Sequence, residues 1–143
     1  MEALALGFDF GTSGARVVAV DASGQQVDEA SVRWPSEHDA ADPSAWRAAV
    51  DDLLFALPLS LRAAVGRVCV GGTSATCLLV DWASGEPSRG DAPVRLYNWS
   101  LDKDGAQQLG DELVGEARCL LDTACPPGHT ARAGTSALAK LVG

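Results

Sequence analysis

The chain has 143 residues, of which 47% are hydrophobic and 21% are charged, and its formal net charge at pH 7 is −8. This size and balance are typical of one globular domain. The acidic charge argues against a nucleic-acid partner, which needs clustered Lys and Arg side chains. No apolar stretch reaches the roughly 18 residues that a membrane span needs, and the short apolar run at the N-terminus lacks the basic residues of a signal peptide. We therefore expect a cytoplasmic protein with no membrane partner.

The four cysteines, Cys69, Cys77, Cys119 and Cys125, are predicted to be reduced and structural. They form no CxxC pair, and the histidines lie far from metal-ligand spacing. Cys69 and Cys77 lie in apolar, strand-like runs, where a thiol usually serves as a small hydrophobic side chain.

The first part of the chain predicts three strands joined by short turns. In the run LALGFDF, bulky side chains alternate with small ones that end in Asp9. ARVVAVD and QQVDEASVRW predict the second and third strands, and the third has a more polar face. The turn signal DASG separates them. Consecutive strands with short turns form an antiparallel meander.

A polar loop, a helix and an apolar strand follow the meander. Asp42 before Pro43 is a favourable helix start, with an acidic N-cap and proline at the first helical position. Apolar residues at helical spacing continue to Leu57, and Pro58 ends the helix. GRVCVGG predicts a short buried strand, and TCLLVDW predicts another. Because strand, helix and strand in this order give a parallel crossover, we expect a mixed α/β sheet with packed helices.

The last part of the chain predicts a loop and two helices. ASGEPSRGDAPV reads as a loop, and a long helix is expected from about Leu101 to Leu121, although three glycines weaken it. CPPGH ends that helix. TSALAKLVG begins another, which Thr135 or Ser136 can cap.

The stretch GFDFGTSGAR has the composition of an anion-binding turn. Backbone N–H groups of a tight Gly-Thr-Ser-Gly turn can bind a phosphate. The hydroxyls of Thr12 and Ser13 add donors, and Gly11 allows close approach of a ligand. Asp9 can hold Mg²⁺, usually through water, and Arg16 can reach a phosphate oxygen. Phosphoryl transfer requires these parts; an ordinary hairpin turn is the alternative.

Two later segments present polar side chains that suit a sugar. In VGGTSATCLLVD, Thr73 and Ser74 follow a strand and two glycines, and their hydroxyls can bind a polyol. The alternative is a tight structural turn. In LYNWS, Tyr97 and Asn98 can line a polar pocket, and the alternative is a tyrosine packed at a domain edge.

These segments, in this order, resemble the FGGY carbohydrate kinases. LGFDFGTSGARVVAVD resembles the first phosphate motif of the superfamily that contains actin, heat-shock chaperones and sugar kinases, in the form that the FGGY members carry. VGGTSATCLLVD resembles their sugar-facing strand-turn-strand. LYNWS and GHTARAGTSALAKLVG resemble two further segments, so the resemblance covers nearly the whole chain. The turn Gly-Thr-Ser-Ala-Thr is most similar to that of the D-ribulose kinases and xylulose-kinase-like proteins.

The resemblance implies a ribonuclease H-like domain of the actin-like ATPase superfamily. It also implies ATP-dependent phosphorylation of a sugar hydroxyl, on D-ribulose or a related ketopentose. Asp9 would lie near Mg²⁺ and the reacting hydroxyl. The phosphate-binding residues implied are Gly11, Thr12, Ser13 and Arg16, and the sugar-contacting residues are Thr73, Ser74, Tyr97 and Asn98.

The chain departs from the family in two respects. Trp99 stands where the family usually carries an acid after the Asn, so the contact of that acid is not expected here. The kinases of the family run to several hundred residues in two lobes, and their general-base Asp and adenosine-binding elements lie beyond residue 143. The resemblance therefore implies that residues 1–143 are a truncated N-terminal lobe, against which an ATP-binding lobe would pack.

Closure between the two lobes positions ATP and sugar for reaction. We therefore expect weak or no kinase activity from this chain alone. Two other hypotheses remain open on the residues: a different superfamily member, such as a chaperone ATPase or an acetate-type kinase, and a non-catalytic binding module derived from the fold.

Overall fold

The computed structural model describes residues 4–87 and 94–142. Residues 88–93, within the predicted loop ASGEPSRGDAPV, lie outside the described residues. The chain divides into two compact units, the first ending at Thr73 and the second beginning at Ser74. None of the helices formed by the described residues has the length and hydropathy needed to cross a membrane.

The first unit is built on a four-stranded mixed sheet of β1 (Leu4–Phe10), β2 (Gly14–Val20), β3 (Gln26–Arg33) and β4 (Val65–Gly72). The strands lie in the spatial order β3-β2-β1-β4. β1 pairs antiparallel with β2, β2 pairs antiparallel with β3, and β1 pairs parallel with β4. The predicted meander and parallel crossover are thereby confirmed.

Helix α1 (Pro43–Ala56) begins where the sequence predicts. The Asp42 carboxylate accepts a hydrogen bond from the backbone N–H of Ser44 at 2.8 Å, which satisfies one of the free donors of the first turn. Pro58 follows the helix and begins the short helix α2 (Leu59–Arg62). A 3₁₀ helix, Glu37–Ala41, precedes α1.

Alternation along the strands separates the sheet into a core face and an open face. On the core face, apolar side chains of the sheet pack against α1. The intervening residues lie on the open face, where Asp9 and Arg16 are exposed. The buried core comprises Leu6, Phe8, Ala15, Val17, Ala19, Ala49, Leu53 and Leu57.

Strand β4 is exposed, so the prediction of a buried strand is wrong. Val68 is 60% and Val70 is 66% exposed, and Cys69 is exposed rather than buried as a small hydrophobic side chain. An apolar run indicates a strand but does not say which strands a helix covers. Within the first unit, α1 packs mainly on β2 and β3, and β4 lies at the edge beyond β1.

The described part of the second unit is mostly helical. It contains α3 (Ala106–Leu109), α4 (Asp111–Ala124) and α5 (Ala137–Val142), with a π-helical turn at Leu101–Gly105 and a 3₁₀ helix at Thr130–Arg132. Ser136 caps α5 as predicted, because its hydroxyl accepts from the N–H of Ala139 at 3.0 Å. The core of this unit comprises Trp99, Leu101, Ala117, Leu121 and Ala139.

Two predictions for this unit are wrong. TCLLVDW forms no strand, since Cys77 and Val80 each make only an isolated bridge, to Arg95 and Pro87. A strand needs a partner along its length, and these residues have one only at single points. The long predicted helix is interrupted at Gly110, whose φ of 84° is open to glycine but rare for other residues.

All four cysteines are free; Cys77 and Cys125 are partly buried, whereas Cys69 and Cys119 are exposed, so these two do not serve as buried structural side chains. Among residues 4–87 and 94–142, no group of three His, Cys, Asp or Glu side chains is placed to hold a metal ion.

Candidate functional site

The hairpin between β1 and β2 closes tightly over residues 11–13. The N–H of Gly11 donates to the carbonyl oxygen of Gly14 at 2.8 Å. Thr12 and Ser13 at the tip are exposed. Position 14 requires glycine, because a Cβ there would collide with the carbonyl oxygen of Val32 on β3.

Asp9 and Arg16 face each other across this hairpin. They are paired in the β1–β2 register, and both Nη2 and Nε of Arg16 lie 3.2 Å from the Asp9 carboxylate. The two side chains are 52% and 66% exposed, respectively. Because exposed ion pairs contribute only about 0–1 kcal/mol, a phosphate can draw Arg16 away, or a cation can take Asp9, at little cost in stability.

Trp34 holds the turn from the core side of the sheet. Its indole Nε1 donates to the carbonyl oxygen of Gly11 at 3.0 Å, and its backbone N–H donates to that of Ser13 at 3.1 Å. The ring packs against the core of the first unit. Trp34 thus forms hydrogen bonds to both ends of the turn, at Gly11 and Ser13. These bonds reduce the reorganisation of the turn that binding a ligand would need.

A cleft of about 340 Å³ opens beside the turn, and β1, β2 and β3 all contribute to its wall. Three of the four residues predicted to bind phosphate line it, Gly11, Ser13 and Arg16, and so does the predicted Mg²⁺ ligand Asp9. Thr12 is not among the lining residues. The cleft also includes Ser31 and Arg33, which were not singled out from the sequence. The alternation along β3 places both residues on the open face of the sheet. That they line the cleft follows only from the position of β3 beside the turn.

Among the residues that line the cleft, Asp9 carries the only carboxylate. A closed metal cage therefore does not fit this donor set. Mg²⁺ is commonly held by one or two carboxylates together with water and phosphate oxygens. The cleft fits that arrangement, with Asp9 as the protein ligand and Ser13 as an additional hydroxyl.

Thr73 leaves the sheet at the same edge as the hairpin. The last residues of β4, Gly71 and Gly72, pair with Asp9 and Phe10 of β1. Because parallel strands end at a common edge, Thr73 follows directly where β1 also ends. Ser74, its neighbour in the chain, begins the second unit.

In the second unit, Lys140 joins the backbones of the predicted sugar segments. Its side chain is buried, with the residue 2% exposed. Nζ donates to the carbonyl oxygens of Ala75 at 2.9 Å, Tyr97 at 3.0 Å and Thr135 at 3.0 Å. Burial lowers the pKa of Lys140, and the nearby Cys77 opposes that change. Since an ammonium has three N–H donors, the three carbonyls match the charged form.

Three of the side chains predicted to contact sugar are exposed to solvent. Ser74 and Asn98 are exposed, and Tyr97 is 49% exposed. Ala75 adopts a φ of 57° in the left-handed region, so the turn after Ser74 is tight. The hydroxyl of Thr76 is buried and makes no hydrogen bond to the described residues.

Trp99 belongs to the core of the second unit. It is 7% exposed, and its indole Nε1 donates to the side-chain oxygen of Gln108 at 3.2 Å. The guanidinium of Arg95 stacks on the ring, 4.4 Å from its centroid. Trp99 is therefore packed inside the second unit, with its indole and ring both in contact with other residues of that unit.

No protein-family model matches the chain. Solved structures that resemble it include a xyloylose kinase from Brucella ovis, with a TM-score of 0.57, 22% identity, and coverage of 82% of this chain and 25% of that one. The xylulose kinase from Bifidobacterium adolescentis has a TM-score of 0.56 at 21% identity, covering 84% of this chain and 22% of its own. The gluconate kinase from Lactobacillus acidophilus has a TM-score of 0.57 at 16% identity, covering 82% and 24%.

These likenesses bear on the fold. The chain has an α/β, ribonuclease H-like fold, which it shares with the matching part of these kinases. It spans about a quarter of the length of the kinases that it matches, between 22% and 25%.

Proposed function

We propose that this chain is the N-terminal lobe of an FGGY-type carbohydrate kinase. The reaction is phosphoryl transfer from ATP to a hydroxyl of D-ribulose or a related ketopentose. The observation that supports this most directly is the hairpin cleft, where a carboxylate, a guanidinium and a Gly-Thr-Ser-Gly turn meet at the edge of the sheet. The carbohydrate-kinase-like fold is the second support.

In the proposed phosphate site, each group of the hairpin has one task. The N–H groups and hydroxyls of the turn, with Thr12 and Ser13 at its tip, bind the transferred phosphate. Arg16 leaves its contact with Asp9 and compensates the negative charge of the phosphate. The freed carboxylate of Asp9 would hold Mg²⁺, and the bound ion would neutralise part of the negative charge of the phosphates.

The residues proposed to contact the sugar are Thr73 in the first unit, and Ser74, Tyr97 and Asn98 in the second. The hydroxyls and the amide suit hydrogen bonds with a polyol, and the half-exposed ring of Tyr97 suits the apolar side of a sugar. The ammonium of Lys140 holds the backbone at Ala75 and Tyr97, and thereby limits the freedom of the residues beside them. We assign Lys140 to positioning, with no contact to sugar.

On this proposal the chain binds ligands but does not turn them over. The general base and the adenosine contacts of the family belong to a second lobe, and positioning of both substrates needs closure between lobes. A non-catalytic binding module derived from the same fold is the second candidate. It is favoured by Trp99, which replaces the acid of the family and is packed in the core.

The first prediction concerns Asp9 and Mg²⁺. We expect the wild-type chain to bind inorganic tripolyphosphate more tightly with Mg²⁺ than without it. Asp9→Asn should remove this difference, while binding of tripolyphosphate alone should be no weaker, because a repelling carboxylate is gone. Amide chemical shifts of residues 9–16, followed during NMR titration, measure both affinities.

Asp51→Asn is the matched control for this test. It makes the same charge change on an exposed position of α1, and it should keep the full effect of Mg²⁺. An Asp9→Asn chain that retains the Mg²⁺ effect would contradict the proposed role of Asp9. Failure of the wild-type chain to bind tripolyphosphate at millimolar concentration would contradict the phosphate site as a whole.

The second prediction concerns the sugar. We expect D-ribulose or D-xylulose to bind the chain more tightly than glycerol, and Ser74→Ala to weaken the preferred sugar about fivefold through loss of one hydrogen bond. Calorimetric titration measures these affinities, with Ser60→Ala on the exposed surface of α2 as control. An unchanged affinity in Ser74→Ala would remove Ser74 from the site.

Normal turnover by residues 1–143 in a coupled ATP assay would refute the two-lobe requirement.

A further inference from the structure

Arg33, at the end of β3, lies at the cleft beside the hairpin. We propose that Arg33 is a second phosphate-binding residue of this cleft, which takes a polyphosphate chain together with Arg16. The inference rests on the proposed phosphate site and adds a contact from a strand outside the hairpin itself.

The strand register places Arg33 on the same face as the hairpin's charged pair. Asp9 faces Arg16, Arg16 faces Ser31, and Gly14 faces Arg33 across the neighbouring strands. Ser31 and Arg33 are two residues apart, so both lie on the open face of the sheet, away from α1. The cleft is accordingly lined by two guanidinium groups and one carboxylate.

The backbone of Arg33 is held on both sides. A Cβ on Gly14 would come within 3.0 Å of the Arg33 Cα, so the bare glycine is what allows β3 to approach this closely. Trp34, the next residue, is fixed to the turn by its indole and its backbone N–H. The Cα of Arg33 is therefore kept beside the turn, and the side chain extends from a rigid position.

The charges around the cleft favour an anion. Arg16 has Asp9 as its partner, whereas the side chain of Arg33 makes no ion pair or hydrogen bond within the part of the chain that the structure describes. The lining residues carry a formal charge of +1 in a protein whose net charge is −8. A planar guanidinium also presents paired N–H donors that match phosphate oxygens.

The spacing of the two arginines favours a chain of phosphates. Arg33 is paired with Gly14, two residues along β2 from Arg16, which corresponds to about 7 Å along the strand. The two guanidinium groups therefore offer an extended positive surface. Such a surface suits the linked phosphates of a nucleotide or of inorganic tripolyphosphate.

The test compares tripolyphosphate binding by four forms of the chain: wild type, Arg33→Gln, Arg33→Lys and Arg67→Gln. The expected loss is about tenfold for Arg33→Gln and about threefold for Arg33→Lys, which keeps the charge but loses the paired donors. Arg67→Gln should change the affinity less than twofold. It is the matched control, because Arg67 lies on the same face of the sheet beside Ala5, toward the opposite end of β1.

The indole N–H signal of Trp34, assigned with Trp34→Phe, reports binding at the turn independently of any catalytic activity. Arg33→Gln with an affinity within twofold of wild type overturns the inference and leaves the hairpin site intact. An equal loss in Arg67→Gln also overturns it, since the effect would then come from overall charge. Absence of tripolyphosphate binding in the wild-type chain overturns the phosphate site and this inference together.

Discussion

Gly14→Ala is expected to lower the free energy of unfolding of the first unit by about 3 kcal/mol. The added Cβ would collide with the Val32 carbonyl and press on the Arg33 Cα, and both belong to the backbone of β3. Backbone cannot rotate aside as a flexible side chain can, so β2 and β3 must separate at this end. The unfolding of wild type and variant in urea, followed by tryptophan fluorescence, measures the difference.

Gly7→Ala is the control for this substitution. Gly7 lies in the adjacent strand β1, and a Cβ there would meet nothing within 4 Å. Its expected change in stability is within about 0.5 kcal/mol. If Gly14→Ala were as stable as Gly7→Ala, the close approach of β3 to the turn would be wrong, and the placement of Arg33 would lose its basis.

Lys140→Met is expected to destabilise the second unit by about 3 kcal/mol. Methionine has a similar length but no donor, so the carbonyl oxygens of Ala75, Tyr97 and Thr135 lose the group that bonds all three. Part of this loss is offset because a charge no longer has to be buried. Hydrogen exchange of the amides near these residues should accelerate, while the strands of the first unit keep their protection.

The chain contains only two lysines, Lys103 and Lys140, so lysine-specific ¹⁵N labelling gives a direct test. The ammonium of Lys140, bonded to three carbonyls, should exchange slowly and remain visible at neutral pH. That of exposed Lys103 should exchange too fast to be seen. Lys103→Met is the matched control and should leave stability unchanged. Equal behaviour of the two lysines would show that Lys140 does not hold the sugar segments together.

These two residues bear on the proposed function in different ways. Gly14 acts on the phosphate cleft, since it decides how closely the β3 strand can lie beside the turn. Lys140 acts on the sugar segments, which it joins through their backbones. Loss of tripolyphosphate binding in Gly14→Ala, with sugar binding retained, would separate the two sites experimentally.

Features that depend on neighbours along the chain were determined by the sequence. Asp42 before Pro43 starts α1 because the cap satisfies N–H groups one turn away. The alternation in β1 puts Leu6 and Phe8 in the core and Asp9 outside it, because side chains of a strand point to opposite faces. The hairpin that carries Asp9 and Arg16 is predictable too, because its residues are neighbours along the chain.

Features that depend on which elements meet were decided only by the tertiary structure. An apolar run has the same pattern whether a helix covers it or not, so the exposure of β4 could not be read from its residues. TCLLVDW likewise forms no strand, because it makes only two isolated bridges, between Cys77 and Arg95 and between Val80 and Pro87.

The roles of three residues at the candidate sites could likewise not be predicted from the sequence: Trp34, Arg33 and Lys140. Trp34 and Arg33 reach the turn from a strand that follows it in the chain, and Lys140 bonds residues 43 and 65 positions away. Their partners are brought to them by strand pairing and packing across long separations. A pattern of neighbouring residues carries no such information.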